Sequence, residues 1–431
     1  MSVRTDGAAS LTLAASVAVT TWCLSLGAAA EPTLQFQTWQ LSSRFYCEGA
    51  DFGDFNDDGH QDIAAGPFIY LGRQFKIRMA FREVHEFSPT AYSDTFFTFT
   101  CDISGDDWPD LVQIGGPGSK AVWYENPRQR KLLRQGTNRL HTWKKHPLYD
   151  FVSSESPQLA DMTGDGKPEL LCIDSELFED NIGYAEADWN NPTKPWTFRK
   201  VSPAQRWLPS EDPLRINNHG IGAGDMNGDG RRDILEARGW WEQPKKWDGA
   251  TPWAFHPTNF GKGGAQMFAY DVDGDGDNDV ISSIWAHGYG LSWFEQHHDD
   301  NEAICFTEHR FIDDKAQKNP YGVKFSQLHA LDLIDMNGDG LKDIITGKRF
   351  WAHGPHGDVE PNAAAVLYCF ELRRGVQERP GGVDFVPHLV HNDSGVGTQV
   401  IAGDVSGDGL PDIVVGNKKG TFVHIHQPRQ D

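Results

Sequence analysis

Seven short acidic loops, beginning at Asp54, Asp102, Asp161, Asp225, Asp271, Asp335 and Asp404, place oxygen-bearing side chains at alternate positions. The fullest copy reads Asp271-Val272-Asp273-Gly274-Asp275-Gly276-Asp277-Asn278-Asp279. Carboxylates at loop positions 1, 3, 5 and 9 are the donor set of a hard cation, which takes six to eight oxygens at about 2.3–2.6 Å. Glycine at position 6 lets the backbone fold back through positive φ. The candidate Ca2+ ligands are Asp54, Asn56, Asp58 and Asp62; Asp102, Ser104, Asp106 and Asp110; Asp161, Thr163, Asp165 and Glu169; and Asp225, Asn227, Asp229 and Asp233. The set continues with Asp271, Asp273, Asp275 and Asp279; Asp335, Asn337, Asp339 and Asp343; and Asp404, Ser406, Asp408 and Asp412. Up to seven structural Ca2+ ions are expected. Asp107 replaces the glycine of the second copy and Glu169 the closing Asp of the third, so those two sites are expected to be weak or empty. An EF-hand would need Glu at position 12 and flanking helices. Here the loops run into β-branched stretches such as Asp412-Ile413-Val414-Val415, which predict strands.

A second set of reactive groups appears on counting six residues back from each loop's first Asp, which gives Glu48, Phe96, Glu155, His219, Ala265, His329 and Thr398. Four of these are Glu or His, and if the repeats are related by rotation about one axis they converge on a common opening. The turn after each second strand belongs to the same face, and those turns carry Asp174, Arg238, His287, His353 and His356. Such a group can work as an acid/base constellation or hold an additional divalent metal.

The elements that must position these groups repeat with the loops. An apolar strand enters each loop and a second leaves it. A third recurs as Val122-Trp123-Tyr124-Glu125, Trp240-Trp241-Glu242 and Ser292-Trp293-Phe294-Glu295, and a fourth occupies 141–146, 196–200 and 306–310. Four strands at steps of 46 to 69 residues predict an all-β fold, a seven-bladed β-propeller with one calcium loop per blade. After Asp404 the chain holds three strands, and residues 34–41 resemble the missing fourth. The N-terminal strand is therefore expected to join the last blade and close the ring without an open edge. The recurring aromatics read as packing between blades, with sugar stacking on Trp240 or Trp241 the minor alternative.

The formal charge of -22 is concentrated in the loops, so it reads as metal-site chemistry and not as a face for a basic partner. Nucleic acid is not expected as a ligand, and the basic run Arg128, Arg130, Lys131, Arg134 and Arg139 reads as a solvated hairpin loop. Residues 1–30 have the basic start, apolar centre and small-residue end of an export signal, leaving 31–431 as the propeller. No later stretch is long enough to span a membrane. The location expected from these features is secreted or periplasmic. Cys47, Cys101, Cys172, Cys305 and Cys369 are odd in number and irregularly spaced, as buried thiols would be.

The loops and flanking strands resemble the FG-GAP or VCBS repeat, the blade unit of integrin α-chain propellers and of many exported bacterial proteins. That resemblance spans residues 31–431 and implies a propeller with calcium between the first and second strands of each blade. It implies no activity. Residues 219–244, from His219-Gly220-Ile221-Gly222-Ala223-Gly224-Asp225 to Gln243-Pro244, are similar to the propeller part of fungal aldos-2-ulose dehydratase, whose cupin domains are absent here. This resemblance implies removal of water from a keto-sugar. Elimination beside a carbonyl needs a base, an acid for the departing hydroxyl and an electrophile for the enolate. His219 or His329 would be the base, and Glu155 or Glu48 the acid or a metal ligand. His287, His353, His356, Asp174 and Arg238 would contact substrate or a second metal. The competing expectation is a propeller that binds a glycan or protein on this face without catalysis.

Overall fold

A computed structural model describes residue 1 and residues 34–129, 141–175, 179–206 and 219–428. Apart from Met1, the expected export signal lies outside the described residues, as does the basic stretch 130–139. The chain divides into Met1–Thr33 and Leu34–Asp431, and every described strand belongs to the second unit.

The fold is an all-β propeller in which an acidic loop joins the first two strands of each four-stranded set. The first aspartate of a loop accepts from its own backbone: Asp335 takes the N–H groups of Gly338 at 2.7 Å, Asp339 at 3.1 Å and Gly340 at 2.8 Å. The closing acid is buried and ties the loop to the third strand, as Asp343 does by accepting Met336 N–H and Leu372 N–H, both at 2.9 Å. Asp233, Asp279 and Asp412 repeat this double contact. Each loop is thus a folded hairpin turn that fixes three strands at once. In the second copy Asp107 takes the left-handed conformation, φ 67°, that Gly230 (84°) and Gly340 (90°) take elsewhere. Its short polar side chain tolerates that region, so the loop keeps its path.

Four-stranded sheets are formed by Ala50–Gly53, Asp62–Ala65, Phe68–Tyr70 and Arg78–Ala80; by Phe97–Cys101, Asp110–Ile114, Ser119–Glu125 and Lys144–Val152; and by Leu331–Ile334, Asp343–Gly347, Leu367–Arg374 and Val383–His391. Gln158–Ala160, Glu169–Asp174, Glu179–Glu186 and Thr197–Lys200 form a fourth sheet, with Gln205–Arg206 pairing beside them as a fifth strand. In the last, Val400–Gly403, Asp412–Asn417 and Gly420–Gln427 are followed by Gln35–Ser42, which pairs antiparallel with Gly420–Gln427. One hydrophobic cluster joins Ile63 and Tyr70 of the first sheet to Val414 and Val423 of the last.

Seven separate sheets were expected, and here the structure differs: the described residues form five separate blades and one eight-stranded sheet. That sheet runs Ala254–Pro257, Gly239–Glu242, Asp233–Glu236, Ile221–Gly224, Met267–Tyr270, Asp279–Ser283, Leu291–His298 and Ile304–Ile312. Its centre is a parallel pairing of Gly222 with Met267 and Ala223 with Phe268. Glycine makes the close approach feasible, because a Cβ on Gly222 would lie 2.1 Å from the Met267 carbonyl oxygen and one on Gly224 2.2 Å from Ala269 Cβ.

The third and fourth strands are fastened by a repeated pair. Glu125 meets His146 at 2.8 Å, Glu242 meets His256 at 2.8 Å, Glu295 meets His309 at 2.6 Å and Glu371 meets His388 at 2.7 Å. In three of these the imidazole also stacks on a neighbouring indole: His146 on Trp123, His256 on Trp240 and His309 on Trp293. Trp240 and Trp241 are buried, so neither offers a face to a sugar. All five described cysteines are free. Among the described residues no helix is long and apolar enough to cross a membrane.

Candidate functional site

Glu48, Glu155, His219 and His329 each stand just ahead of the strand that enters a loop: Ala50–Gly53, Gln158–Ala160, Ile221–Gly224 and Leu331–Ile334 respectively. The structure brings all four together. His219 Nε2 lies 3.7 Å from a Glu155 oxygen, and the rings of His219 and His329 are 5.5 Å apart. Arg349 spans the two acids, donating to Glu155 at 3.3 Å and to Glu48.

His287, from the turn after Asp279–Ser283, completes a trio. Its Nε2 stands 3.1 Å from His219 Nε2, and one ring nitrogen from each of His219, His287 and His329 falls within 4.8 Å of the others. One of the outer nitrogens is hydrogen-bonded from behind, and a second faces a carboxylate. His329 Nδ1 is 3.1 Å from the Gln327 carbonyl, and His287 Nδ1 is 3.3 Å from Asp358. The carbonyl at His329 Nδ1 places the proton there and leaves the Nε2 lone pair facing inward, as the outer partners of metal-bound imidazoles do. His329 Nε2 is buried and has no hydrogen-bond partner. The same Asp358 also binds His353, whose Nδ1 is 2.9 Å from one of its oxygens.

Electrostatics separates the members. Burial pushes His219 down to about 4 and His329 well below the usual imidazole range, so both are neutral at pH 7. Burial works against ionisation of Glu155, yet His219, Arg349, His287 and His353 together hold its carboxyl below the usual range. Burial works against Asp358 too, and its bonds to His287 and His353 outweigh it. Asp358 in turn raises His353, which is 48% exposed and the most open member of the group. Glu48 is 1% exposed, sealed behind Arg349, and burial pushes it up against the pull of Arg349 and Lys418. That position makes Glu48 the anchor of Arg349 and withdraws it from contact with a substrate, contrary to its expected role as acid or ligand.

Three other expected members do not join. Asp174 accepts from Tyr149 Oη at 2.7 Å on the neighbouring sheet, and Arg238 is held by Glu236 at 2.6 Å and by Gln205 at 3.2 Å. His356 lies in the turn 351–358, and among the described residues no hydrogen bond ties it to the cluster. At the remaining ruler positions Phe96 lies 5.2 Å beneath the Arg349 guanidinium, and Thr398 Oγ1 donates to the Phe96 carbonyl at 2.6 Å. Arg349, Lys418 and Asp358 are charged groups beside this cluster that the backward count missed. A forward count finds two of them, because Arg349 follows Asp343, and Lys418 follows Asp412, by the same six residues. Asp358 has no counterpart in the other repeats and carries no such signal.

In the acidic loops, Asp271, Asp273 and Asp279 each offer an oxygen within 4.8 Å of the others. Burial, with neighbouring loop acids adding to it, pushes Asp233, Asp279 and Asp343 up to about 7.

The FG-GAP repeat family matches residues 396–425, the last acidic loop with its flanking strands. The chain thus carries an FG-GAP repeat on a β-propeller. No curated protein matches it, so the similarity of residues 219–244 to the dehydratase propeller rests on those residues alone. Among solved structures it is similar to the V. cholerae biofilm matrix protein Bap1, at 10% identity over 92% of each chain with a TM-score of 0.41. It is also similar to rhamnogalacturonan lyase YesW, at 11% identity over 92% of this chain and 77% of that one with a TM-score of 0.38. For the exotype rhamnogalacturonan lyase YesX the values are 10% identity, 90% and 72% coverage and a TM-score of 0.37.

Proposed function

We propose that this protein is an exported, carbohydrate-active lyase that removes water from a keto-sugar at the histidine cluster, with a divalent metal held by Nε2 of His219, His287 and His329. The observation that carries this is the convergence of three imidazoles, one of them held at its outer nitrogen by a carbonyl and a second facing a carboxylate at 3.3 Å. Three imidazoles suit a divalent transition metal, and an unpartnered buried Nε2 on His329 fits that donor set. A metal there would polarise the substrate carbonyl.

The chain's own groups then divide the proton transfers. Glu155, kept ionised and partly open, takes the proton from the carbon beside the carbonyl. His353, protonated against Asp358, gives a proton to the hydroxyl as its C–O bond breaks, so water leaves and the electron pair of the broken C–H bond becomes the new double bond. His219 and His329 bind instead of acting as bases, a revision that their burial supports. Glu48, which also faces Lys418 at 3.9 Å, holds Arg349 in place behind Glu155.

Around this site we propose a seven-bladed ring, counting the eight-stranded sheet as two antiparallel sets of four, with Gln35–Ser42 completing the last blade. Structural Ca2+ ions would occupy the acidic loops. The fifth loop fits best, since its carboxylates already converge.

Incubation of the zinc- or manganese-loaded protein with 1,5-anhydrofructose and other 2- and 3-keto sugars should give a rising enone absorbance. It should fall to background in the His219→Ala, His329→Ala double variant. Equal rates in both proteins, or none from wild type with any of these sugars, would exclude elimination at this site and leave a glycan- or protein-binding face.

A further inference from the structure

Beside the histidine centre lies a second feature with its own chemistry. Trp285, 37% exposed, is more open to solvent than any other described tryptophan. It forms one wall of a cleft of about 290 Å³, with Tyr289 and the buried Phe294 as further aromatic lining and Lys262, Glu308 and Arg310 at the rim. The volume lies at the small end of ligand pockets, about 300–1,000 Å³, and suits one ring-sized group. An apolar aromatic surface bordered by charged hydrogen-bonding groups matches a pyranose, which has an apolar C–H face and polar edges.

Both walls are built, not incidental. Lys262 Nζ stands 4.9 Å over the Trp285 ring, so its flexible side chain has to swing to the rim for a sugar ring to take that face. Gly288 makes room for the indole, because a Cβ there would lie 2.0 Å from the Trp285 ring. Glu308 is fixed by Ser292 Oγ at 2.8 Å and by Arg310 Nε at 2.8 Å, which presents a set acceptor and donor at the rim. The turn that carries Trp285 and Tyr289 also carries His287, and it is closed by a Gly288 N–H to Trp285 carbonyl bond of 3.1 Å.

We infer that the Trp285 cleft is a pyranose-binding subsite, so the substrate of the histidine centre is an oligosaccharide whose neighbouring ring rests on Trp285. The link to the centre rests on the function proposed above; the sugar subsite itself does not.

The test is calorimetric titration of the full chain with cellotetraose, xylotetraose and tetragalacturonate, alongside cobalt binding to the same proteins. At least one tetrasaccharide should bind wild type, Trp285→Ala should weaken it about tenfold or more, a loss of about 1.4 kcal/mol, and Trp285→Phe should recover most of it. Cobalt stoichiometry should be equal in all three, which shows that the turn still presents His287. If none of the sugars binds, or Trp285→Ala binds as wild type does, the subsite is wrong. Sugar binding that depends on Trp285 in a protein that forms no enone removes the elimination chemistry and keeps the subsite. Enone formation from a lone keto-sugar without oligosaccharide binding does the reverse.

Discussion

Asp358 gives a direct handle on the proposed metal centre. Its carboxylate faces His287 Nδ1 at 3.3 Å and accepts from His353 Nδ1 at 2.9 Å and from the His353 backbone N–H at 3.1 Å. In Asp358→Asn only one oxygen remains for these donors and the negative charge behind His287 is lost. The backbone is not disturbed, because residue 358 has φ 57° and Asn accepts the left-handed region as well as Asp does. Loss of an outer partner of a metal-bound imidazole lowers affinity about 10–100-fold, equivalent to about 1.4–2.7 kcal/mol. Cobalt titration monitored by its visible absorption, in competition with a chelator, reads this directly. The melting temperature of the metal-free protein should stay close to wild type. A cobalt affinity within twofold of wild type would mean that Asp358 does not orient a ligand, and that His287 is not bound through Nε2.

Two further outcomes concern the scaffold. The hydrogen bond to His388 holds Glu371 down to about 2 despite its burial, with Arg373 adding to the effect. A depressed folded value stabilises above the unfolded pKa and is lost as pH falls, so about 3 kcal/mol should disappear between about pH 4.5 and 2. Glu371→Gln should lose that amount in urea melts at pH 7 and show a flatter decline below pH 4.5; an unchanged acid profile would count against the pair. Calcium removal with EGTA should lower the melting temperature reversibly, since each site at a hundred times its Kd contributes about 2.7 kcal/mol. Identical melting curves with and without EGTA would show that the loops do not stabilise through Ca2+.

Much of this site was legible because one repeat acts as a ruler. The loop aspartates mark where each inner strand begins, and a fixed count back reached Glu48, Glu155, His219 and His329, which do meet. His287 and His353 came from turns of the same face. The count says nothing about depth, however, and so could not show that Glu48 is closed off behind Arg349. It also overreached at Asp174 and Arg238, whose partners lie on nearby strands. Asp358 was invisible because the turn that carries it, unlike the loops, is not repeated. The eight-stranded sheet was hidden in Gly222 and Gly224, which read as part of a motif and act through the side chains they lack.

That eight-stranded sheet has a consequence for how the site moves. His219 leads into Ile221–Gly224 and His287 follows Asp279–Ser283, so both project from one continuously hydrogen-bonded body. Relative sliding of neighbouring blades, the softest motion open to separate sheets, would have to break the Gly222–Met267 pairing before it could change the spacing of these two imidazoles. His329 belongs to the next sheet, and its segment is tied to that body by single bonds, Gln327 N–H to the Gly288 carbonyl at 2.8 Å and Ser283 Oγ to the Leu328 carbonyl at 2.9 Å. The spacing of His219 and His287 is therefore held by a backbone ladder and the spacing to His329 by individual hydrogen bonds, a mechanical asymmetry that three separately mounted ligands would not have.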